Sequence, residues 1–141
     1  MIVYLLNILL IDDEKDILRL VQKYLEKKGA HVSAHSEPLL ALQDFIQNQN
    51  KNNDKNSNNN YDLVISDIRM PKMNGIELAS LVRKKNKDIP IILMTSSDIV
   101  DFDQSILKFL DIEDILIKPI KLKNLLEKIN IVKQKVIVNP S

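Results

Sequence analysis

Cysteine is absent from this 141-residue sequence, so disulfide bonds and thiolate metal sites are excluded. Neither sign of charge dominates, because 20 basic and 19 acidic side chains leave a formal net charge of +1. That balance gives no overall attraction to nucleic acid or anionic lipid. The longest apolar stretch, Met1–Ile11, is too short to span a bilayer and lacks the basic start and small-residue cleavage site of a signal peptide. We therefore expect a single cytoplasmic domain.

Strand-like and helix-like segments alternate along the chain. Short, largely apolar runs predict strands at Asn7–Ile11, Tyr61–Ser66, Ile89–Met94 and Asp114–Ile117. A weaker pattern predicts a further strand at His31–His35, which makes five. Apolar residues at helical spacing predict the intervening helices; the clearest case is the fifth, with Leu122, Leu125, Leu126 and Ile129. The second helix is expected to start near Pro38, and the fourth to cover about Ile99 to Leu110. Alternation of this kind predicts an α/β fold, a doubly wound five-stranded parallel sheet with helices on both faces.

One segment contains no apolar residue at all. Gln47–Asn60 reads QNQNKNNDKNSNNN, and such a tract cannot bury enough surface to offset the entropy lost on ordering. We expect a disordered Asn-rich loop over 47–60, inserted in a domain that covers residues 1–131. The remaining residues, 132–141, are expected to form a C-terminal tail, and we expect no effector domain unless the chain is a fragment of a longer protein.

Polar side chains follow the predicted strands where each strand ends. Asp12 and Asp13 follow the first strand, Asp67 the third, Thr95 the fourth and Lys118 the fifth. In parallel sheets of this type, ligands bind outside the carboxyl ends of the strands, so these side chains are expected to meet. Grouped carboxylates repel one another unless a cation joins them, and all-oxygen ligands suit Mg²⁺. A lysine and a hydroxyl nearby suit the oxygens of a phosphoryl group.

At this point the sequence resembles the receiver domain of response regulators. The resemblance rests on four stretches in order, ILLIDDE (8–14), LVISDIRMPKMNGIEL (63–78), IILMTS (91–96) and ILIKP (115–119). It covers about Asn7 to Ile131. It implies a flavodoxin-like (βα)5 fold with strand order 2-1-3-4-5, and a phosphoacceptor module of a two-component, or phosphorelay, signal transduction system.

The resemblance also assigns roles at the acidic cluster. Asp67 matches the aspartate that accepts the phosphoryl group. Asp12 and Asp13 match the acid pair that holds Mg²⁺ together with Asp67, and the backbone carbonyl of Arg69 is a further expected ligand. Mn²⁺ is an alternative cation.

Further roles follow from the other stretches. Lys118 matches the lysine that pairs with the phosphoryl group, and Thr95 matches the hydroxyl that moves toward it after transfer. Lys118–Pro119 matches a peptide bond that is cis in the family. Met70–Pro71 and Gly75 match the loop that shapes the site.

Three positions depart from the family pattern. Ile115 stands where the family usually carries Tyr or Phe, which puts the usual aromatic switch in doubt. Ser96 replaces a frequent Ala, and Arg69 occupies the position that influences phosphoryl lifetime. Two other classes stay open. A haloacid-dehalogenase-like phosphatase would place a second acid at position 69, where Arg69 stands; a pseudo-receiver would only bind a partner.

The resemblance implies partners as well. A sensor histidine kinase or a phosphotransfer protein would supply the phosphoryl group, and an unknown downstream protein would read the changed surface. The module is expected to act as a signalling switch, with its own phosphotransfer and autodephosphorylation activity. No direct nucleic-acid or membrane partner is expected. The sequence leaves open a homodimer through helix 4, strand 5 and helix 5, and we assign no role to His31 and His35.

Overall fold

A computed structural model describes residues 6–49, 60–96 and 104–138. Residues 136–138 are described by their backbone alone. The strands are β1 (Asn7–Ile11), β2 (His31–His35), β3 (Leu63–Asp67), β4 (Ile91–Thr95) and β5 (Asp114–Ile117). The helices are α1 (Lys15–Lys27), α2 (Pro38–Gln49), α3 (Gly75–Lys85), α4 (Gln104–Phe109) and α5 (Leu122–Val138). Within these ranges no helix is long and apolar enough to cross a membrane.

All five strands are parallel and lie in the order β2-β1-β3-β4-β5, as predicted. The central strands β3 and β4 are buried at every position, whereas the edge strands β2 and β5 are only partly buried. The burial explains why the central strands are continuous apolar runs, because both faces of a parallel sheet are covered.

Helices cover both faces of the sheet and form two separate cores. On one face, α1 and α5 pack Leu25 and Ile129 against alternate strand residues such as Leu10. On the other face, α2 and α3 pack Phe45 and Leu78 against the residues of opposite parity. This is the three-layer sandwich expected from the alternation of strands and helices.

Two segment boundaries differ from the sequence-based expectation. Helix α2 continues to Gln49, so residues 47–49 of the Asn-rich tract are helical rather than loop; the side chain of Gln49 is buried and accepts a hydrogen bond from Asn86 Nδ2. Residues 50–59 lie outside the described part of the chain. Helix α5 continues to Val138, past the boundary expected at residue 131, because Val132 is buried in the core and Lys135 pairs with Glu113.

The other differences are small. Strand β3 begins at Leu63, two residues later than expected, because Asp62 instead binds Asn7 through its carboxylate and its backbone N–H. Strand β4 begins at Ile91, since Pro90 has no N–H to donate to the ladder. For the predicted fourth helix, residues 104–109 are helical, and 97–103 lie outside the described residues.

One arginine joins the ends of three segments. The Arg83 guanidinium donates to the carbonyls of Leu110 (2.8 Å), Ile89 (2.6 Å), Asn86 (3.2 Å) and Asp111 (3.2 Å). Burial lowers the pKa of Arg83, although neighbouring carboxylates oppose this change. The contacts fix the end of α4 to the end of α3 and to the start of β4.

Candidate functional site

The strands bring the predicted site residues to one edge of the sheet. Asp12 follows β1, Asp67 and Thr95 end β3 and β4, and Lys118 follows β5. Because the strands are parallel, these ends lie side by side. Asp12, Asp13 and Asp67 each offer a carboxylate oxygen, and the three oxygens all lie within 4.8 Å of one another.

Asp12 is fixed by the backbone on both sides. Its N–H donates to the carbonyl of His35 at the end of β2 (3.2 Å), and its Oδ1 accepts from the N–H of Glu14 (2.9 Å). Only 1% of Asp12 is exposed. The carboxylate is therefore held in place, and Oδ2 is left for the other members of the cluster.

Asp67 is the last residue of β3 and is also buried, with 4% exposed. The Ser66 hydroxyl donates to the Asp67 carbonyl (2.9 Å), and the N–H of Gly75 donates to the carbonyl of Ile68 (2.7 Å). A Cβ atom on Gly75 would overlap the Asp67 carbonyl oxygen. Glycine at position 75 therefore lets the start of α3 approach the backbone directly behind Asp67.

Lys118 brings one positive charge into the acidic cluster. Its Nζ lies 2.9 Å from Asp12 Oδ2, 3.1 Å from Asp67 Oδ2 and 3.2 Å from Glu14 Oε1, and its side chain is 7% exposed. The backbone N–H of Lys118 donates to the carbonyl of Thr95 (2.7 Å), which ties the residue to β4. The Lys118–Pro119 peptide bond is cis, as the family resemblance implies.

The pKa values show how far these charges compensate one another. Burial raises the pKa of Asp67; the hydrogen bond and charge of Lys118 oppose the rise, and the charges of Asp12 and Asp13 add to it. Burial alone would lower the pKa of Lys118, but hydrogen bonds and charges from Asp12 and Asp67 outweigh burial and raise it. Lys118 is therefore charged at neutral pH, and one ammonium does not compensate all the carboxylates around it.

The donor set fits a hard divalent cation. Two of the three clustered carboxylates belong to buried residues, and crowded anions of this kind are stabilised when a cation joins them. Asp12, Asp13 and Asp67 would supply three oxygen ligands of the type that Mg²⁺ prefers. Arg69 lies two residues after Asp67 and is exposed. The contribution of its carbonyl stays a prediction.

The site is open to the outside next to Asp13. A cavity of about 220 Å³ lies between the segments that follow β2 and β3, and Asp13, Pro38, Leu39 and Pro71 are among its lining residues. The backbone of Lys72, at the rim, has a positive φ of 71°, in a turn closed by the N–H of Met73 and the carbonyl of Pro71 (2.8 Å). Of the three clustered acids, only Asp13 lines this cavity.

The family resemblance predicts that Thr95 and Ile115 bear on the transmission of a signal. Thr95 is fully buried at the end of β4, beside Lys118. Ile115 lies on β5, paired with Leu93, and packs against the core beneath α3 and α4. Movement of Thr95 and immobility of Ile115 stay predictions.

The structure also adds contacts that the sequence did not indicate. Glu14 and Ser66 bond to members of the cluster, and the carbonyl of His35 anchors Asp12. A loop-start acid, a strand serine and a backbone carbonyl leave no distinctive pattern. Only their neighbours in the fold indicate these contacts.

Comparison with known proteins agrees with this geometry. Residues 8–130 match the family described as the response regulator receiver domain. The chain therefore belongs to the response regulator receiver family, the class of signalling module found in two-component systems.

Individual relatives give the same result. The chain is 29% identical over 133 residues to the transcriptional regulatory protein RprY of Bacteroides fragilis, covering 93% of this chain and 50% of that protein. The chain thus spans about half the length of the curated relatives it matches.

Two solved structures are also similar. A receiver domain from Clostridium thermocellum has a TM-score of 0.77 and 28% identity, covering 95% of this chain and 99% of that one. The response regulator TrrA of Thermotoga maritima, in complex with Mg²⁺ and BeF, has a TM-score of 0.73 and 30% identity, covering 90% and 98%.

Proposed function

We propose that the chain accepts a phosphoryl group on Asp67 from a phosphohistidine of a partner kinase or phosphotransfer protein, in a reaction that requires Mg²⁺. The observation that carries the proposal is the convergence of Asp12, Asp13 and Asp67 on one point, with Lys118 bonded to two of them. Mn²⁺ would occupy the same oxygen ligands.

The transfer is a displacement at phosphorus. The bond from phosphorus to the imidazole nitrogen breaks, with its electron pair leaving on nitrogen, and a bond forms from phosphorus to an Asp67 carboxylate oxygen. The imidazole recovers a proton from solvent. A bound Mg²⁺ would neutralise charge on the phosphoryl oxygens. Lys118 holds a positive charge within 3.1 Å of Asp67 Oδ2, so it is placed to donate to a phosphoryl oxygen there.

Hydrolysis of the acyl phosphate would return the domain to its resting state. Slow autodephosphorylation, with water as the attacking group, is part of the proposal. Thr95 would donate to the phosphoryl group, and the movement would alter the surface that a downstream protein reads. A homodimer through α4, β5 and α5 stays a prediction, and so do the cytoplasmic location and the lack of direct nucleic-acid binding.

Labelling with acetyl phosphate tests the proposal. Wild-type protein should form an acid-labile, hydroxylamine-sensitive adduct when Mg²⁺ is present and none when it is chelated. Asp67→Asn should abolish the adduct. Asp88→Asn is the matched control, since Asp88 is exposed and lies before β4, at the amino ends of the strands and away from the acidic cluster. Labelling of Asp67→Asn at the wild-type rate would exclude the assignment.

A further inference from the structure

The ammonium of Lys118 has no N–H left for a new acceptor. A lysine has three N–H donors, and Lys118 Nζ already faces three carboxylates, those of Asp12, Glu14 and Asp67. A phosphoryl oxygen on Asp67 can therefore bond to Lys118 only if one of these carboxylates gives up its contact.

Glu14 differs from the other two acids in its freedom to move. Asp12 and Asp67 are buried, whereas the Glu14 side chain is 56% exposed, so water can replace Lys118 as its partner. Glu14 is the N-cap residue of α1, yet its side chain makes no capping hydrogen bond. A shorter aspartate at this position would usually accept from the first turn of the helix. This side chain instead reaches across to β5 and contacts Lys118 at 3.2 Å.

We propose that Glu14 is a positioning residue that competes with the phosphoryl group for Lys118. In the unphosphorylated domain Glu14 holds one N–H of the ammonium, and it releases that N–H to a phosphoryl oxygen once Asp67 is modified. Glu14 thereby lowers the affinity of the site for a phosphoryl group and limits the fraction of the domain in the phosphorylated state. This inference rests on the proposed function of Asp67.

Affinity for beryllium fluoride, a phosphoryl mimic, measures the competition directly. In saturating Mg²⁺, Glu14→Gln should bind beryllium fluoride about fivefold more tightly than wild type, because a half-exposed ion pair of this kind contributes about 1 kcal/mol. Asp16→Asn is the matched control. It removes one exposed carboxylate from the first turn of the same helix, and Asp16 is not among the three acids around Lys118. Its affinity should equal that of wild type.

A double-mutant cycle then tests whether Glu14 acts through Lys118. In a Lys118→Met background, Glu14→Gln should change the affinity by less than twofold, since no ammonium is left to compete for. The Mg²⁺ affinity of Glu14→Gln supplies a second readout. Simple loss of a carboxylate near the site would weaken Mg²⁺ binding, whereas release of Lys118 would tighten the binding of beryllium fluoride.

The outcomes separate the inference from the proposed function. If wild type binds beryllium fluoride but Glu14→Gln binds it no more tightly than Asp16→Asn does, the proposed competition for Lys118 is wrong. An equal gain in the Lys118→Met background would also overturn it, because the effect would then be a general charge effect. Failure of wild type to bind in Mg²⁺ would remove the proposed function, and the inference with it.

Discussion

Replacing Asp13 by asparagine should make the domain more stable without metal and less able to bind metal. The Asp13 carboxylate lies within 4.8 Å of those of Asp12 and Asp67, and it adds to the rise in the pKa of Asp67. The ion pairs of Lys118 are with Asp12, Glu14 and Asp67, so the substitution leaves them in place. It removes repulsion and also removes one of the three proposed metal ligands.

The magnitude follows from the separation. Two unit charges 4.8 Å apart repel by about 1 kcal/mol in bulk water and by about 3 kcal/mol at an effective dielectric constant of 20. Asp13 is partly exposed, so we expect Asp13→Asn to raise the free energy of unfolding by about 1–2 kcal/mol in chelator. Wild type should gain about 2.7 kcal/mol from Mg²⁺ at 100 times its dissociation constant, and the variant far less. The difference in the free energy of unfolding between Asp13→Asn and wild type should therefore narrow or reverse in sign when Mg²⁺ is added.

Urea unfolding followed by circular dichroism, in chelator and in Mg²⁺, measures both effects. Asp16→Asn is again the matched control and should follow wild type in both buffers. If Asp13→Asn were less stable than wild type in chelator, the three carboxylates would not repel one another as inferred. If it gained as much stability from Mg²⁺ as wild type does, Asp13 would not be a metal ligand.

Four further outcomes are expected. Because the pKa of Asp67 is raised in the folded state, its charge destabilises the fold above that pKa; Asp67→Asn should exceed wild type in stability at neutral pH, and the difference should vanish as pH falls through that pKa toward the ordinary value. Gly75→Ala should cost about 1–3 kcal/mol in urea unfolding and slow acetyl phosphate labelling, because the new methyl overlaps the Asp67 carbonyl, although alanine normally favours a helix. Arg83→Met should lower the free energy of unfolding by about 2–4 kcal/mol, since four carbonyls lose a charged donor. Hydrogen exchange with and without beryllium fluoride should change most between Thr95 and Leu110, and little over Asp114–Ile117, because the branched side chain of Ile115 is stiff at χ1.

Each of these outcomes has a contradicting result. If the difference in stability between Asp67→Asn and wild type did not depend on pH, burial would not destabilise the Asp67 carboxylate. Stabilisation by Gly75→Ala would show that the start of α3 can retreat. Lys84→Met, an exposed neighbour, is the control for Arg83→Met, and equal losses would refute the carbonyl contacts. A dominant change at β5, with the Thr95 segment silent, would refute the proposed route of the signal.

The sheet could be predicted because burial on both faces leaves a direct trace in the sequence. Strands β1, β3 and β4 are apolar runs bounded by polar residues, and the structure buries nearly all of them. The strand order followed from the family resemblance rather than from the runs themselves. The site followed from topology, since Asp12, Asp67 and Lys118 stand at the ends of parallel strands and must share one edge.

Helix ends and side-chain partners could not be predicted in this way. Gln49 and Val138 extend their helices beyond the expected boundaries, and the burial of Gln49 depends on the fold around it. The reach of Glu14 to Lys118 and of Arg83 to four carbonyls depends on tertiary distances between residues far apart in sequence. In the sequence, a charged residue that bonds to a carbonyl or to a lysine cannot be told apart from an ordinary surface charge.

The central claim is that Asp67 receives the phosphoryl group, and one measurement tests it most directly. Borohydride reduces an aspartyl phosphate to homoserine, which peptide mass spectrometry locates to a single residue. After phosphorylation in Mg²⁺ and reduction, homoserine should occur at position 67, and it should be absent when Mg²⁺ is chelated. Homoserine at position 12 or 13, or none under conditions that label the protein, would contradict the account.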